Sequence, residues 1–242
     1  MSEPKIALVT GANKGIGYEI ARGLGRAGGT VLVGARDETR GAAAVAKLVA
    51  EDITAVLVGL DVTDPASVSN VAIRIEREYG RLDVLVNNAG ILLEAGQRPS
   101  RTPLEALRLT YETNVYGVVT VTNAMLPLIR QAPAGRIVNV SSGLGSLTST
   151  SDPDGPWSQI PLLGYNSSKS ALNSITVSYA NELRDTPIKV NAADPGYCRT
   201  DLNWNTGYLT PADGAAVALH LANLPDDGPT GAFIGADGVK PW

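Results

Sequence analysis

The 242-residue chain has one cysteine (Cys198), one histidine (His220) and one phenylalanine. A lone cysteine closes no internal disulfide, which excludes a small secreted scaffold held together by bridges. A lone histidine leaves no cluster of imidazoles for zinc, so no metal site is expected. The sole His–Cys pair available is His220 with Cys198, and no sequence neighbour of Cys198 supplies a base. Packing is the expectation for Cys198, and a structural or surface role for His220. Basic runs are lacking too. Twenty Lys and Arg stand against 24 Asp and Glu, a net charge of −4, which argues against a nucleic-acid partner. There is no run of about 18 apolar residues to span a bilayer. Residues 1–4 do not lead from a cationic start into a long apolar core, so no signal peptide is expected and the cytoplasm is the expected location. The 26 glycines and 15 prolines form no repeat, and 44% hydrophobic content at this length is enough for a full core. Chemistry is left to Ser, Tyr, Lys, Asp, Glu or a borrowed cofactor.

Short apolar runs alternate with helix-length segments throughout. Residues 6–10, 30–35, 55–60, 84–87, 136–140, 188–192 and 231–235 read as buried strands of a parallel sheet. Between them, 16–27, 39–51, 65–79, 103–131, 164–184 and 211–224 read as helices. Thr63-Asp64-Pro65 and Thr210-Pro211 each place a capping side chain before a first-turn proline. This rhythm predicts an α/β fold: a single doubly wound, Rossmann-type domain spanning 1–242. Residues 143–161, rich in Ser, Thr, Gly, Pro and Asp, read as a long loop inserted beside the substrate.

The first turn runs Gly11-Ala12-Asn13-Lys14-Gly15-Ile16-Gly17. Glycines at this spacing permit a tight turn and a close backbone approach to a pyrophosphate facing a helix N-terminus. The second strand ends at Arg36 without the carboxylate that would accept hydrogen bonds from a ribose 2′-hydroxyl. Arg36, with Lys14, favours a 2′-phosphate and hence NADP. Asp61 and Val62 after the third strand are placed to bracket an adenine, with a plain turn as the alternative for Asp61. Asn88, Ala89 and Gly90 close the fourth strand and suit a ligand site at the carboxyl edge of the sheet, with a plain turn as the alternative.

Ser141-Ser142 ends the fifth strand, and Tyr165-Asn166-Ser167-Ser168-Lys169 opens a helix. Four residues apart, Tyr165 and Lys169 share a face. An ammonium one turn away is expected to lower the pKa of the phenol, which can then exchange a proton with a carbonyl oxygen polarised by serine. In this order, with Asn114 and Pro195-Gly196, the motifs resemble those of the short-chain dehydrogenase/reductase family over nearly the whole chain. The resemblance implies a seven-stranded parallel sheet and hydride transfer between a nicotinamide and a carbonyl. It implies a catalytic set of Ser142, Tyr165 and Lys169, with Asn114 linking the lysine to solvent through water. Ser142 rather than Ser141 matches the family pattern. Tyr165 and Lys169 would also touch the cofactor, as would Pro195, Gly196 and Thr200.

The 23-residue step from Ser142 to Tyr165 is longer than the family's usual spacer. Together with Gly34-Ala35-Arg36-Asp37 and the ending Lys240-Pro241-Trp242, it is similar to the carbonyl reductase branch. That branch implies a monomer, with a homo-oligomer as the alternative. Leu144, Trp157, Leu163, Tyr197 and Trp204 flank the motifs and are candidates for an apolar substrate wall. The expected activity is NADPH-dependent reduction of a small-molecule aldehyde or ketone. Alternatives are an oxidative alcohol or polyol dehydrogenase, and a regulator that binds NADP without catalysis.

Overall fold

A run of Leu, Val and Ala without polar alternation makes a strand only where both faces are covered. In the computed structural model, which describes residues 3–94, 96 and 98–242, the runs lie in that setting. Met1 and Ser2, part of the N-terminal reading, lie outside the described residues, as do Ala95 and Gln97. The strands are β1 (Ile6–Thr10), β2 (Thr30–Ala35), β3 (Ala55–Gly59), β4 (Val84–Asn87), β5 (Arg136–Val140), β6 (Lys189–Ala193), β7 (Phe233–Gly235) and β8 (Gly238–Val239). The helices are α1 (Gly15–Arg26), α2 (Glu38–Val49), α3 (Pro65–Tyr79), α4 (Leu104–Tyr111), α5 (Gly117–Ile129), α6 (Leu147–Ser151), α7 (Leu163–Glu182) and α8 (Pro211–Ala222).

The sheet runs β3-β2-β1-β4-β5-β6-β7-β8. Strands β1 to β7 pair in parallel; β8 pairs antiparallel with β7. The expected seven-stranded parallel sheet is therefore an eight-stranded, mostly parallel one. The eighth strand has only two residues, Gly238 and Val239, too few to show any periodicity. Chain order reverses between β1 and β4, which opens a crevice at the carboxyl ends of the strands.

Side chains on a strand alternate between faces, and the core divides accordingly. Ala7, Val9, Val31, Val33, Val84 and Val86 pack with Ile20 and Leu24 of α1 and Leu221 of α8. Their neighbours Ile6, Leu8, Leu32 and Leu85 face the other way, towards Val71 and Ile75 of α3 and Val121 and Met125 of α5. The helix starts follow the sequence signals. Asp64 accepts from Ala66 N at 2.9 Å ahead of Pro65, and Thr210 and Asp213 form a reciprocal capping box.

Two expectations are corrected. The segment 103–131 is not one helix, because a π-helical turn, Glu112–Tyr116, separates α4 from α5. Residues 143–161 are not all loop: a 3₁₀ turn, Gly143–Gly145, and α6 stand within them. Ser142 and Ser146 accept backbone hydrogen bonds at the starts of those two pieces, so the serines that suggested a loop serve as caps.

Candidate active site

The carboxyl ends of β1, β2, β4, β5 and β6 open into one cleft of about 990 Å³. At the β1 end of the cleft Gly11 and Gly15 have φ of +62° and +59°, conformations that side chains rarely adopt. An added Cβ at Gly15 would find only the Thr200 side chain within 4 Å, at 3.6 Å or more, so that wall of the turn is open. Asn13, Ile16 and Gly17 complete the lining there. Thr10 fixes the turn to the β4 edge: its hydroxyl accepts from the backbone N–H of Asn88 and of Ala89, both at 2.9 Å. The Asn88 side chain in turn donates to Thr10 O at 2.8 Å and Gly11 O at 3.2 Å.

Lys14 and Arg36 both line the cleft, as the sequence suggests. Arg40, one turn into α2, joins them and was missed by the sequence reading. Its signal was present in the spacing from Arg36, which places both at the same helix start. In this structure Lys14 pairs with Asp201 at 2.5 Å, both side chains well exposed. Asp61 accepts from Thr63 N at 2.9 Å and Thr63 Oγ1 at 2.7 Å. Partial burial pushes its carboxyl up, but the Thr63 bonds and the charge of Arg36 outweigh this and hold it below the usual range. Asp61 thus makes a local turn and also lines the cleft beside Val62. The residues fit a phosphorylated dinucleotide: an open glycine cradle with three cations at one end.

Deeper in the cleft, the two adjacent serines separate. The Ser141 hydroxyl is buried and donates to Asn173 Oδ1 at 2.6 Å. The Ser142 hydroxyl accepts from Leu144 N at 3.2 Å and stands close enough to the Tyr165 phenol to influence its titration. Lys169 lies one turn along α7, its Nζ 5.6 Å from the Tyr165 ring centre and donating to Val140 O at 2.8 Å. Burial governs both titrations. It pushes the Tyr165 phenol up to about 12, with Ser142 opposing the shift and the Asp194 carboxylate adding to it. It brings Lys169 down to about 8. The expected lowering of the phenol by its lysine neighbour does not emerge: burial is the largest cause of the shift, and what acts beside it comes from Ser142 and Asp194, not from Lys169.

Asn114 stands behind the cleft, buried on the π-helical turn. It accepts from Ile91 N at 2.8 Å and donates to Ile91 O at 3.0 Å and to Ser168 Oγ at 3.1 Å. A Cβ at Gly90 would lie 3.4 Å from Asn114 Oδ1 and 3.6 Å from Lys169 Nζ, so the glycine leaves a gap between them. Pro195, Gly196 and Thr200 line the side supplied by β6.

Leu144, Trp157, Tyr197 and Trp204 line the outer cleft. Leu163 does not share that position. It is turned out to solvent at 39% exposure on the first turn of α7, and Ile160 and Leu162 form the wall instead. The sulfur of Cys198 lies 3.1 Å from Pro195 O, and burial pushes its thiol up to about 11. That holds it as a packed, neutral thiol. His220 is exposed near the end of α8.

A family model of the short chain dehydrogenases matches residues 5–208. The chain belongs to that family. Among relatives of this short-chain dehydrogenase, carbonyl reductase (NADPH) 1 of Mus musculus is 35% identical over 283 residues, covering all of this chain and 99% of the relative. A (+)-neomenthol dehydrogenase of Capsicum annuum is 32% identical over 301 residues, with 95% of each chain covered. The structure of salutaridine reductase from Papaver somniferum superposes with a TM-score of 0.83 at 31% identity, over 95% of this chain and 99% of the other. An NADPH-bound carbonyl reductase from chicken fatty liver gives 0.86 at 27% identity over all of both chains. Among the described residues no helix is long and apolar enough to cross a membrane.

Proposed function

We propose that the protein is an NADPH-dependent carbonyl reductase that converts an aldehyde or ketone to an alcohol. The observation that carries this reading is the Tyr165 phenol. It is buried beside Ser142 in the cleft, and burial pushes it up to about 12, which keeps it in its acid form well above neutral pH. A protonated phenol is the form a reductase needs, since the carbonyl oxygen must gain a proton as its carbon gains a hydride. NADPH, when bound, supplies that hydride. Ser142 holds and polarises the carbonyl oxygen by a hydrogen bond, and Tyr165 donates its proton to the same oxygen. Lys169, within a turn of the phenol, orients the ribose. The gap at Gly90 gives room for a proton path from Lys169 past Asn114 to solvent. Lys14, Arg36 and Arg40 favour the 2′-phosphate of NADPH over the bare hydroxyl of NADH. The names of the mouse and chicken relatives support the same cofactor and reaction.

The test is a panel of activated ketones and aldehydes, followed at 340 nm with NADPH and with NADH. Oxidation of NADPH in preference to NADH is the expected result. Silence on the whole panel, with NADPH still bound, would return the protein to the regulator class. Turnover confined to alcohols with NADP⁺ would make it an oxidative dehydrogenase.

A further inference from the structure

The helix that carries Tyr165 is capped from another part of the chain. First-turn amides of a helix need outside acceptors, and Leu162, just before α7, has an aliphatic side chain that can accept nothing. Two of these amides meet one carboxylate instead. Gly164 N donates to Glu94 Oε1 at 2.9 Å, and Tyr165 N donates to Glu94 Oε2 at 2.8 Å. Glu94 lies 70 residues earlier, in the segment after β4, and is only 1% exposed. Thr102 Oγ1 donates to Oε1 as well, at 3.2 Å. A Cβ at Gly164 would stand 3.2 Å from Glu94 Oε2, so glycine here leaves room for the carboxylate.

A buried charge is costly unless it is well bonded. The positive end of the α7 dipole and three donors meet that need here. A local Ser or Asp would cap the amides as well, but it would not tie the tyrosine to a second element. Glu94 does. The same segment is held at Ile91 by Asn114 and at Asn88 by Thr10, so the Tyr165 amide is referenced to the β4 edge on which the cofactor cleft is built.

We propose that Glu94 is a positioning residue for Tyr165: its two-oxygen cap fixes the backbone of the tyrosine and thereby where the phenol stands against the bound carbonyl. This rests on the reading of Tyr165 as proton donor. Glu94→Gln keeps the size but offers one acceptor oxygen and turns an amide N–H₂ towards a backbone donor. With a ketone substrate, kcat is expected to fall about tenfold or more, since small misplacements of a reacting group cost large factors. The dissociation constant for NADPH should stay near wild type, whereas the thermal midpoint should fall, because a buried backbone donor loses its acceptor. Glu94→Asp, which keeps both oxygens and the charge, should recover part of the rate. Wild-type kcat in Glu94→Gln overturns the proposal, as does a loss of NADPH affinity in parallel with the rate. If Glu94→Gln does not fold, Glu94→Asp decides: a lowered kcat at normal NADPH affinity supports the proposal, and a normal kcat overturns it. Tyr165→Phe run alongside separates the two readings. Retained turnover in Tyr165→Phe defeats the proton-donor reading itself, whereas an inactive Tyr165→Phe beside a fully active Glu94→Gln defeats only the role of Glu94.

Discussion

The Lys169 ammonium nitrogen lies 2.8 Å from the carbonyl oxygen of Val140, the last residue of β5 and two residues before Ser142. This contact pins the middle of the α7 active turn to the strand that delivers the serine. Ser142, Tyr165 and Lys169 therefore keep a fixed triangle, although 27 residues separate the first from the last. In the proposed reaction the phenol is the corner that would carry the proton.

Tyr165→Phe removes that proton and leaves the ring. In the reductive assay kcat should fall by at least about 100-fold, the usual scale for a lost general acid. NADPH binding, followed by quenching of tryptophan fluorescence, should change little. A variant that turns over at the wild-type rate would remove Tyr165 from the reaction.

Arg36→Asp reverses one of the cations at the adenosine end and places a carboxylate at the end of β2. Losing a charge-assisted bond of about 1.5–3 kcal/mol weakens NADPH by about 10- to 100-fold. NADH should gain relative to it. Arg40→Ala should shift the ratio in the same direction by a smaller factor. Steady-state KM values for both cofactors measure this, and an unchanged ratio would exclude the two arginines from phosphate recognition.

Lys169 carries a pH signature in stability. Burial lowers it from the usual 10.5 to about 8 in the folded protein. Below pH 8 both folded and unfolded states hold the proton, and the contribution is constant. Between about 8 and 10.5 the unfolded state binds more protons, so this group raises stability as pH rises. Lys169→Met removes the dependence. The stability of Lys169→Met relative to wild type should fall by about 2 kcal/mol from pH 8 to 9.5, at about 1.4 kcal/mol per unit. Urea melts at the two pH values read it. Tyr165, shifted upward, contributes only above about pH 10. A difference that does not vary with pH would show that Lys169 titrates normally.

Thr10→Val keeps the shape and deletes the hydroxyl that accepts the Asn88 and Ala89 amides. Two partly buried donors left unpaired should cost about 2–4 kcal/mol, visible as a lower denaturation midpoint. NADPH should bind more weakly as the glycine turn loses its tie to β4. A variant as stable as wild type would mean that water replaces the hydroxyl.

Most of the scaffold was legible because its signals are local. Buried strands such as β1 and β5 are unbroken apolar runs, and α3 and α8 announce their starts through Asp64-Pro65 and Thr210-Pro211. The glycine turn and the Tyr165–Lys169 pair are short motifs whose spacing survives folding. What escaped depends on distant partners. Nothing near Glu94 shows that it caps a helix 70 residues away. The π-helical turn around Asn114 interrupts an apolar pattern that reads as one helix. Leu163 and Leu162 differ in exposure through a single step of helix rotation, which periodicity alone does not fix at a helix start. The protonation states of Tyr165 and Lys169 depend on burial, which neither residue encodes by itself.

The Lys14–Asp201 pair gives the cleft an occupant of its own. Both side chains are more than half exposed, at 53% and 63%, so the bond is weak, within about 1 kcal/mol of neutral. Yet it already restricts a side chain that carries about 2 kcal/mol of rotamer freedom. The lysine is parked on a surrogate anion before any nucleotide arrives. If Lys14 takes the phosphate as proposed, binding would be an exchange: Asp201 would return to water, and part of the ordering of Lys14 would precede it.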